Sequence, residues 1–309
     1  MRIAILGATG QIGRGLSRAY HDRARLTLFA RRPDRAASLA EADGIKAEAL
    51  PFDRLADGEF DLIINAVGDG VPGRIRAAGA DILDVTAHFD AFCLSYLERH
   101  PTCGYVFLST GAIYGPDYAG ALRPEQAPQA SLAPDNFYAR AKLEAEDRHR
   151  RLSRHSIADV RLFGYVSPEI DLGSDFLVAQ MLDALVERAV FVTQPADIVR
   201  DYVGLRDLVG LIDAWIGAGR RNGGYDLLSA APTSKMRILD ALKREFGLAW
   251  ETEEPAEAIE LAALPPRLSL DRSAEALGFR PQSTSLDNVL SLAHGLMRAR
   301  ERQTAGAWA

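Results

Sequence analysis

The chain predicts an α/β fold built on a doubly wound parallel sheet, and three observations carry that prediction. Short apolar runs alternate with helical stretches through the first half. Several of these runs are continuously apolar rather than alternating, which suits strands buried on both faces. A glycine-rich turn joins the first run to the first helix. The composition agrees with this class. The 309 residues are 48% hydrophobic and 25% charged, and the chain is long enough for one compound domain or two closely packed ones.

Arg2–Leu6 reads as the first strand. It is too short for the apolar core of a signal peptide. Helix is expected at 12–20, strand at 26–30 and helix at Pro33–Ala42. A short third strand at 46–50 precedes strands at 62–66, 105–109 and 159–163. The segment 115–134 carries four prolines and reads as a loop. Beyond about residue 164 the rhythm changes. Helices are expected at 174–188, 207–216 and 234–246, strands at Phe191–Thr193 and 225–228, and irregular chain at 251–266. This predicts a sheet domain over 1–163, with part of 190–217 packing back on it, and a smaller C-terminal α/β substrate-binding region over 164–309.

Charge and cysteine content narrow the function. A net charge of -6 and a pI near 5.6 do not invite nucleic acid or an anionic membrane. No run of 18 apolar residues is present, so no membrane span is expected. Cys93 and Cys103 show neither metal-ligand spacing nor a CxxC pair. They read as structural thiols of a reducing compartment, the cytoplasm, and no metal site is expected.

The turn Gly7-Ala8-Thr9-Gly10-Gln11-Ile12-Gly13 follows the first strand and opens a helix. Its glycines permit a tight turn and a close backbone approach to a pyrophosphate. The helix N-terminus then meets the phosphate charge with free N–H groups. This is the dinucleotide fingerprint of a Rossmann fold. The end of the second strand chooses between cofactors. A carboxylate there would hold a ribose 2′-hydroxyl, but the chain has Arg31-Arg32, and guanidinium groups suit a 2′-phosphate. NADP(H) is therefore preferred. NAD(H) stays possible, because arginine is abundant, 32 residues against four lysines. Asp53 is a candidate for the adenine amino group, or a turn aspartate. Asn65-Ala66-Val67-Gly68 ends the fourth strand, where Ala66 and Val67 let the backbone pass under the cofactor ribose.

Tyr138-Ala139-Arg140-Ala141-Lys142 sets a phenol and an ammonium four residues apart, on one helix face. The ammonium is expected to favour phenolate and lower the tyrosine pKa, so the side chain can exchange a proton with a substrate oxygen. Nine tyrosines and four lysines would give only about 0.1 such pairs by chance. Ser109 and Thr110 end the fifth strand, where a hydroxyl can hold the same oxygen. Spacing alone does not choose between them.

Together these residues resemble the extended short-chain dehydrogenase/reductases, which include nucleotide-sugar epimerases, dehydratases and ketoreductases. The resemblance rests on the Gly7–Gly13 turn, Ser109-Thr110 leading into Ile113-Tyr114-Gly115, the Tyr138–Lys142 spacing and Arg161-Leu162-Phe163. Arg200-Asp201-Tyr202-Val203 with Asp207 adds to it, as does the ending Leu270-Asp271-Arg272-Ser273 with Leu277-Gly278-Phe279-Arg280-Pro281. The family implies Tyr138 as acid/base and Lys142 as its partner on the nicotinamide ribose. It implies Thr110, with Ser109 behind it, at the substrate oxygen, and Arg200 on the substrate diphosphate, with Arg267 as a second contact. It also implies a homodimer through a bundle containing the Tyr138 helix.

The departures from the family are informative. Family dehydratases follow the threonine with Asp-Glu, and here Gly111-Ala112 argue against dehydration. Many epimerases carry Asn where this chain has Gly164. Thr86 replaces an Asn of the helix before the fifth strand. The sequence thus predicts NADPH-dependent reduction of a nucleotide-linked keto-sugar, a 4-keto-6-deoxy sugar. The alternative is a nucleotide-sugar epimerase. A non-catalytic dinucleotide-binding regulator is disfavoured by the Tyr-Lys pair, and a non-nucleotide carbonyl substrate by Arg200. The basic stretch 148–151 with Arg154 and His155 reads as a solvated helix end, as does 298–302. Trp215 reads as core and His88 as surface.

Overall fold

The computed structural model describes residues 1–115, 120–122, 135–253 and 267–306. The first half is β1 (Arg2–Leu6), α1 (Gln11–Tyr20), β2 (Arg25–Phe29), α2 (Pro33–Ala42), β3 (Glu48–Leu50), β4 (Leu62–Asn65), α3 (Pro72–Ala78), α4 (Asp81–Arg99), β5 (Gly104–Thr110), β6 (Gly120–Leu122), α5 (Phe137–Arg151) and β7 (Ile157–Leu162). It continues with β8 (Tyr165–Val166), α6 (Leu177–Glu187), β9 (Phe191–Thr193), β10 (Val199–Arg200), β11 (Val203–Gly204), α7 (Leu205–Gly217) and β12 (Gly223–Leu227). Last come β13 (Thr233–Ser234), α8 (Lys235–Phe246), β14 (Trp250–Thr252), β15 (Arg267–Ser269) and α9 (Ser285–Gly306).

Seven parallel strands form the central sheet in the order β12-β7-β5-β4-β1-β2-β3. The chain builds outward from β1 in one direction and then from β4 in the other, so the order reverses between these two neighbours. β1 from Ile3 onward, β4 and β5 are buried along their whole length, as continuous apolar strands under helices on both faces require. On one face α1 and α7 pack Leu16 and Tyr20 against Leu208, Leu211, Ile212 and Trp215. Trp215 is core, as its helical spacing predicts, and its indole N–H donates to the Arg221 carbonyl at 2.8 Å. On the other face Cys93, Tyr96 and Leu97 of α4 pack with Ala145 of α5. Cys93 and Cys103 are free and buried. A third core joins α6, α8 and α9.

Three segments differ from the sequence reading. The strand expected at 225–228 with the C-terminal region is β12, the edge strand of the central sheet, paired with β7 over Gly223–Leu227. Trp250–Thr252 pairs with β9, where irregular chain was expected; the rest of that stretch, 254–266, lies outside the described residues. So does most of the predicted loop at 115–134. The largest difference is the basic stretch 148–155. His149 has no exposed surface and lies between Asp90 and Asp159 at 2.7 and 2.6 Å. Arg148 and Arg150, each about one-third exposed, pair with the same two carboxylates. His149 is thus the buried centre of an ionic cluster, while Arg151 and Arg154 are exposed, as a solvated helix end requires. The carbonyls of His149 and Leu152, with that of His155 beyond, accept from the Asn222 amide at 3.1, 3.1 and 3.2 Å.

Candidate active site

The site forms at the carboxyl edge of the sheet, beside the point where strand order reverses. Gly7 turns the chain out of β1 at φ +77°, a conformation that favours glycine. A Cβ on Gly7 would stand 2.6 Å from the Ala66 carbonyl oxygen, and one on Gly13 2.3 Å from the Gly7 carbonyl oxygen. The turns after β1 and β4 therefore touch backbone to backbone, and α1 starts hard against them. The Gly7 and Ala8 amides donate to the Phe29 carbonyl at 2.9 and 3.3 Å. The α1 N-terminus has no side-chain cap and no acidic residue in its first turn. Its N–H groups and dipole face an anion well.

A cavity of about 500 Å³ opens at this point. Gly7, Thr9 and Gly10 line it on the α1 side, and Ala66, Val67 and Gly68 on the β4 side. Arg31, Arg32 and Phe52 line its remaining side, together with Arg35, which the sequence reading missed. Arg35 stands in the first turn of α2, just after Arg31 and Arg32. Phe52 was missed as well. Its ring meets Phe89 edge-on at 4.6 Å. Asp53, the predicted adenine contact, is exposed and lies outside this lining. Gln11, Ile12 and Gly13 also lie outside it: Gln11 donates to Ser167 Oγ at 3.3 Å, Ile12 packs into the first core, and Gly13 is buried against the Gly7 backbone. Glycine cradle, helix N-terminus and small residues after β4 together fit a dinucleotide, with three arginines along one side.

Helix α5 brings up the acid–base residues. Asn136 caps it by accepting from the Ala139 amide at 3.3 Å. Tyr138 is partly buried and hydrogen-bonded to the Thr110 side chain. Thr110 Oγ1 also accepts from the Ala112 amide at 3.2 Å. Lys142 is buried; its Nζ donates to the Leu108 carbonyl at 2.9 Å and sits 4.4 Å from the Phe107 ring centre. The same Nζ is 3.8 Å from where a Gly68 Cβ would stand. Thus the amine reaches from α5 to the loop that lines the cavity.

The electrostatics differ from the expectation. Burial raises the Tyr138 pKa against the hydrogen bond from Thr110, and Asp69 adds to the rise. The phenol therefore stays a proton donor at neutral pH. Burial also pushes Lys142 down to about 8, opposed by Asp90, Asp159 and Glu146. Desolvation of the phenol outweighs the hydrogen bond that favours its ionised form.

Ser109 and Thr110 point to opposite faces of β5, as neighbours on a strand must. Ser109 donates to Glu146 at 2.6 Å. Glu146 pairs with Arg161 at 2.6 Å, and Arg161 reaches Asp226 at 3.3 Å. The Tyr114 hydroxyl donates to Asp226 at 3.0 Å. Burial pushes Asp226 up to about 6, with Arg161 opposing. Ser109 is thereby committed to a buried network, while Thr110 is the hydroxyl beside Tyr138.

The two departures at glycine have steric causes. A Cβ on Gly111 would stand 2.4 Å from the Phe163 ring, and one on Gly164 2.7 Å from the Asp201 carbonyl oxygen and 2.8 Å from the Tyr202 ring. Neither position has room for the acidic or amide side chain that the family pattern carries there. Arg200 is half-buried, and its guanidinium donates to the Val199 carbonyl at 2.7 Å. Its strand, β10, lies against β15, which begins at Arg267. The two predicted substrate arginines thus sit on neighbouring strands. Among the described residues no group of three or more His, Cys, Asp or Glu could hold a metal ion, and no helix is long and apolar enough to cross a membrane.

Comparison with known proteins places this geometry. The NAD dependent epimerase/dehydratase family matches over residues 3–227. A search of the curated proteins found no match. Among solved structures, the UDP-glucose 4-epimerase of Thermotoga maritima with UDP-glucose is 16% identical, at a TM-score of 0.76 over 97% of this chain and 99% of that one. The UDP-glucuronic acid 4-epimerase of Bacillus cereus, in complex with UDP-glucuronic acid and NAD, is 16% identical at 0.76 over 97% and 100%. The dTDP-glucose 4,6-dehydratase of Bacillus anthracis, in complex with NAD, is 13% identical at 0.74 over 97% and 98%. With the family matched over most of its length and the Rossmann sheet shared with these enzymes, the chain belongs to the NAD dependent epimerase/dehydratase family, as an enzyme of the extended short-chain dehydrogenase/reductase type.

Proposed function

We propose that the protein is an NADPH-dependent reductase of a nucleotide-linked keto-sugar, a 4-keto-6-deoxy sugar. The observation that carries this reading is the arginine-lined side of the cavity. Arg31, Arg32 and Arg35 line it with no carboxylate among the lining residues, which suits a 2′-phosphate and a cofactor that exchanges. Gly7, Gly13 and the α1 N-terminus would hold the pyrophosphate, Ala66 and Val67 the ribose, and Lys142 the nicotinamide ribose. The bound cofactor supplies a hydride for the carbonyl carbon. Tyr138 gives its proton to the carbonyl oxygen, and the Thr110 hydroxyl polarises that oxygen. Lys142 holds positive charge near the phenolate that forms. Gly111 and the Phe163 ring leave no side chain beside Thr110 for water elimination. Residues 164–309 would provide most of the substrate contacts, with Arg200 and Arg267 toward the diphosphate. The same reading carries a cytoplasmic homodimer formed through the bundle that contains α5.

Epimerisation of a nucleotide sugar on a tightly held cofactor is the second reading. It is favoured by the two 4-epimerases among the compared structures and is compatible with Thr110 and Tyr138. Incubating the protein with NADPH and dTDP- or UDP-linked 4-keto-6-deoxyglucose, and separately with UDP- or dTDP-glucose and no added cofactor, separates the two. Stoichiometric NADPH oxidation with formation of an alcohol supports reduction. Interconversion of the 4-hydroxy sugar without added cofactor, with no NADPH oxidation on the keto-sugar, supports epimerisation and overturns the first reading.

A further inference from the structure

The inward face of α5 is polar along its length. Tyr138, Lys142, Glu146 and His149 follow one another at intervals of four, four and three residues, the spacing of one helix face. Each is anchored: Tyr138 to Thr110, Lys142 to the Leu108 carbonyl, Glu146 to Ser109 and Arg161, His149 to Asp159 and Asp90. The other buried residues of the helix are Ala139, Ala141 and Ala145. Small side chains give little rotational specificity, so the polar anchors set the helix's rotation and depth.

His149 is the most deeply buried of these anchors. It and both carboxylate side chains are fully buried, and both its ring nitrogens are engaged. Burial works against its cation, but the hydrogen bonds to Asp159 and Asp90 more than offset that and raise its pKa to about 9. Both bonds are therefore charge-assisted at neutral pH. Two routes lead from this residue to the site. The Phe107 ring lies between them, with its centre 5.2 Å from that of His149 and 4.4 Å from Lys142 Nζ. In the other direction Tyr105 donates to Asp90 at 3.2 Å, Asn65 to the Tyr105 hydroxyl at 3.0 Å, and the Val67 amide to Asn65 Oδ1 at 3.1 Å. Val67 lines the dinucleotide cavity.

We propose that His149, clamped between Asp90 on α4 and Asp159 on β7, is a positioning residue that fixes Lys142 and the Val67 backbone in register with each other. The proposal rests on the functional reading only for the catalytic role of the Tyr138–Lys142 pair. The charged and titratable groups around the cluster are Asp90 and Cys93 from α4, Tyr105 from β5, Asp159 from β7, Tyr225 from β12, and Arg148, Arg150, Glu146 and Lys142 from α5 itself.

Only four lysines are present, Lys46, Lys142, Lys235 and Lys243, so 13C-labelled lysine gives a spectrum that can be assigned by single Lys→Arg changes. The test compares the full-length protein with His149→Gln, reading the lysine 13Cε signals and NADPH affinity by fluorescence. Positioning predicts a displaced Lys142 signal, with the other three unmoved, and NADPH binding weakened about tenfold. A folded variant with all four signals in place and affinity within about twofold of the parent overturns it. Should His149→Gln not fold, Asp159→Asn, which keeps the Asp90 bond, is read by the same criteria. The lysine spectrum needs neither cofactor nor substrate. If the parent binds no NADPH, the cofactor reading fails while the spectrum still decides the role of His149.

Discussion

Burial governs the acid–base character of Tyr138. Its raised pKa keeps the phenol protonated at neutral pH, the state a carbonyl reduction draws on. Tyr138→Phe removes the proton and leaves the ring in place. Turnover is expected to fall by about 10²–10⁴, with the melting temperature little changed; near-normal turnover in the folded variant would contradict the mechanism. At the other side of the cavity the arginines decide which cofactor is favoured. Arg31 and Arg32 are both exposed, so replacing them carries little folding cost. Arg31→Asp with Arg32→Ala should move the kcat/KM preference from NADPH toward NADH. An unchanged ratio would mean that neither side chain meets a 2′-phosphate.

Helix α5 shows what patterning reveals and where it fails. Its Tyr-x-x-x-Lys spacing is a local signal, readable because i, i+4 residues share a face. The Gly7–Gly13 turn is readable for the same reason, since each glycine's necessity arises within a few residues and the next strand. In the basic stretch at the end of α5 only the burial of His149 departs from a solvated helix end, and one of its two partners is remote. Asp90 lies 59 residues before His149 and comes in from a different helix. The part played by Arg35 depends on how the first turn of α2 faces the cavity, and the choice of Phe52 over Asp53 on how a 3-10 turn does. The buried cluster also has a pH signature. The His149 pKa rises from 6.5 to about 9 on folding, so the folded state binds more protons between those values. Its stabilisation, about 3 kcal/mol, is complete below pH 6.5 and is lost as pH rises through about 9. Lys142 has the opposite sign. Lowered from 10.5 to about 8, it weakens the fold below pH 8 and relaxes that penalty between 8 and 10.5. Denaturant titrations of His149→Gln between pH 6 and 9 should show a flatter stability profile than the parent. Equal slopes would remove His149 from the account.

Across the whole molecule, the doubly wound sheet was readable from strand–helix alternation, and its site from the turn at the reversal of strand order. The return of β12 to the sheet was not, because Tyr225, Asp226 and Leu227 look alike whether the strand pairs with β7 or elsewhere. That pairing has a consequence, since it brings Asp226 to Arg161 and Tyr114 and so ties the C-terminal half to the strand end beside Thr110. The whole molecule must then either exchange its cofactor or keep it, and that choice separates a reductase from an epimerase. The most direct measurement is to denature the purified protein and identify any released dinucleotide by mass spectrometry. An empty site, or NADP(H) that exchanges freely with added cofactor, is the predicted result. Near-stoichiometric NAD retained through purification would contradict it and turn the assignment to epimerisation.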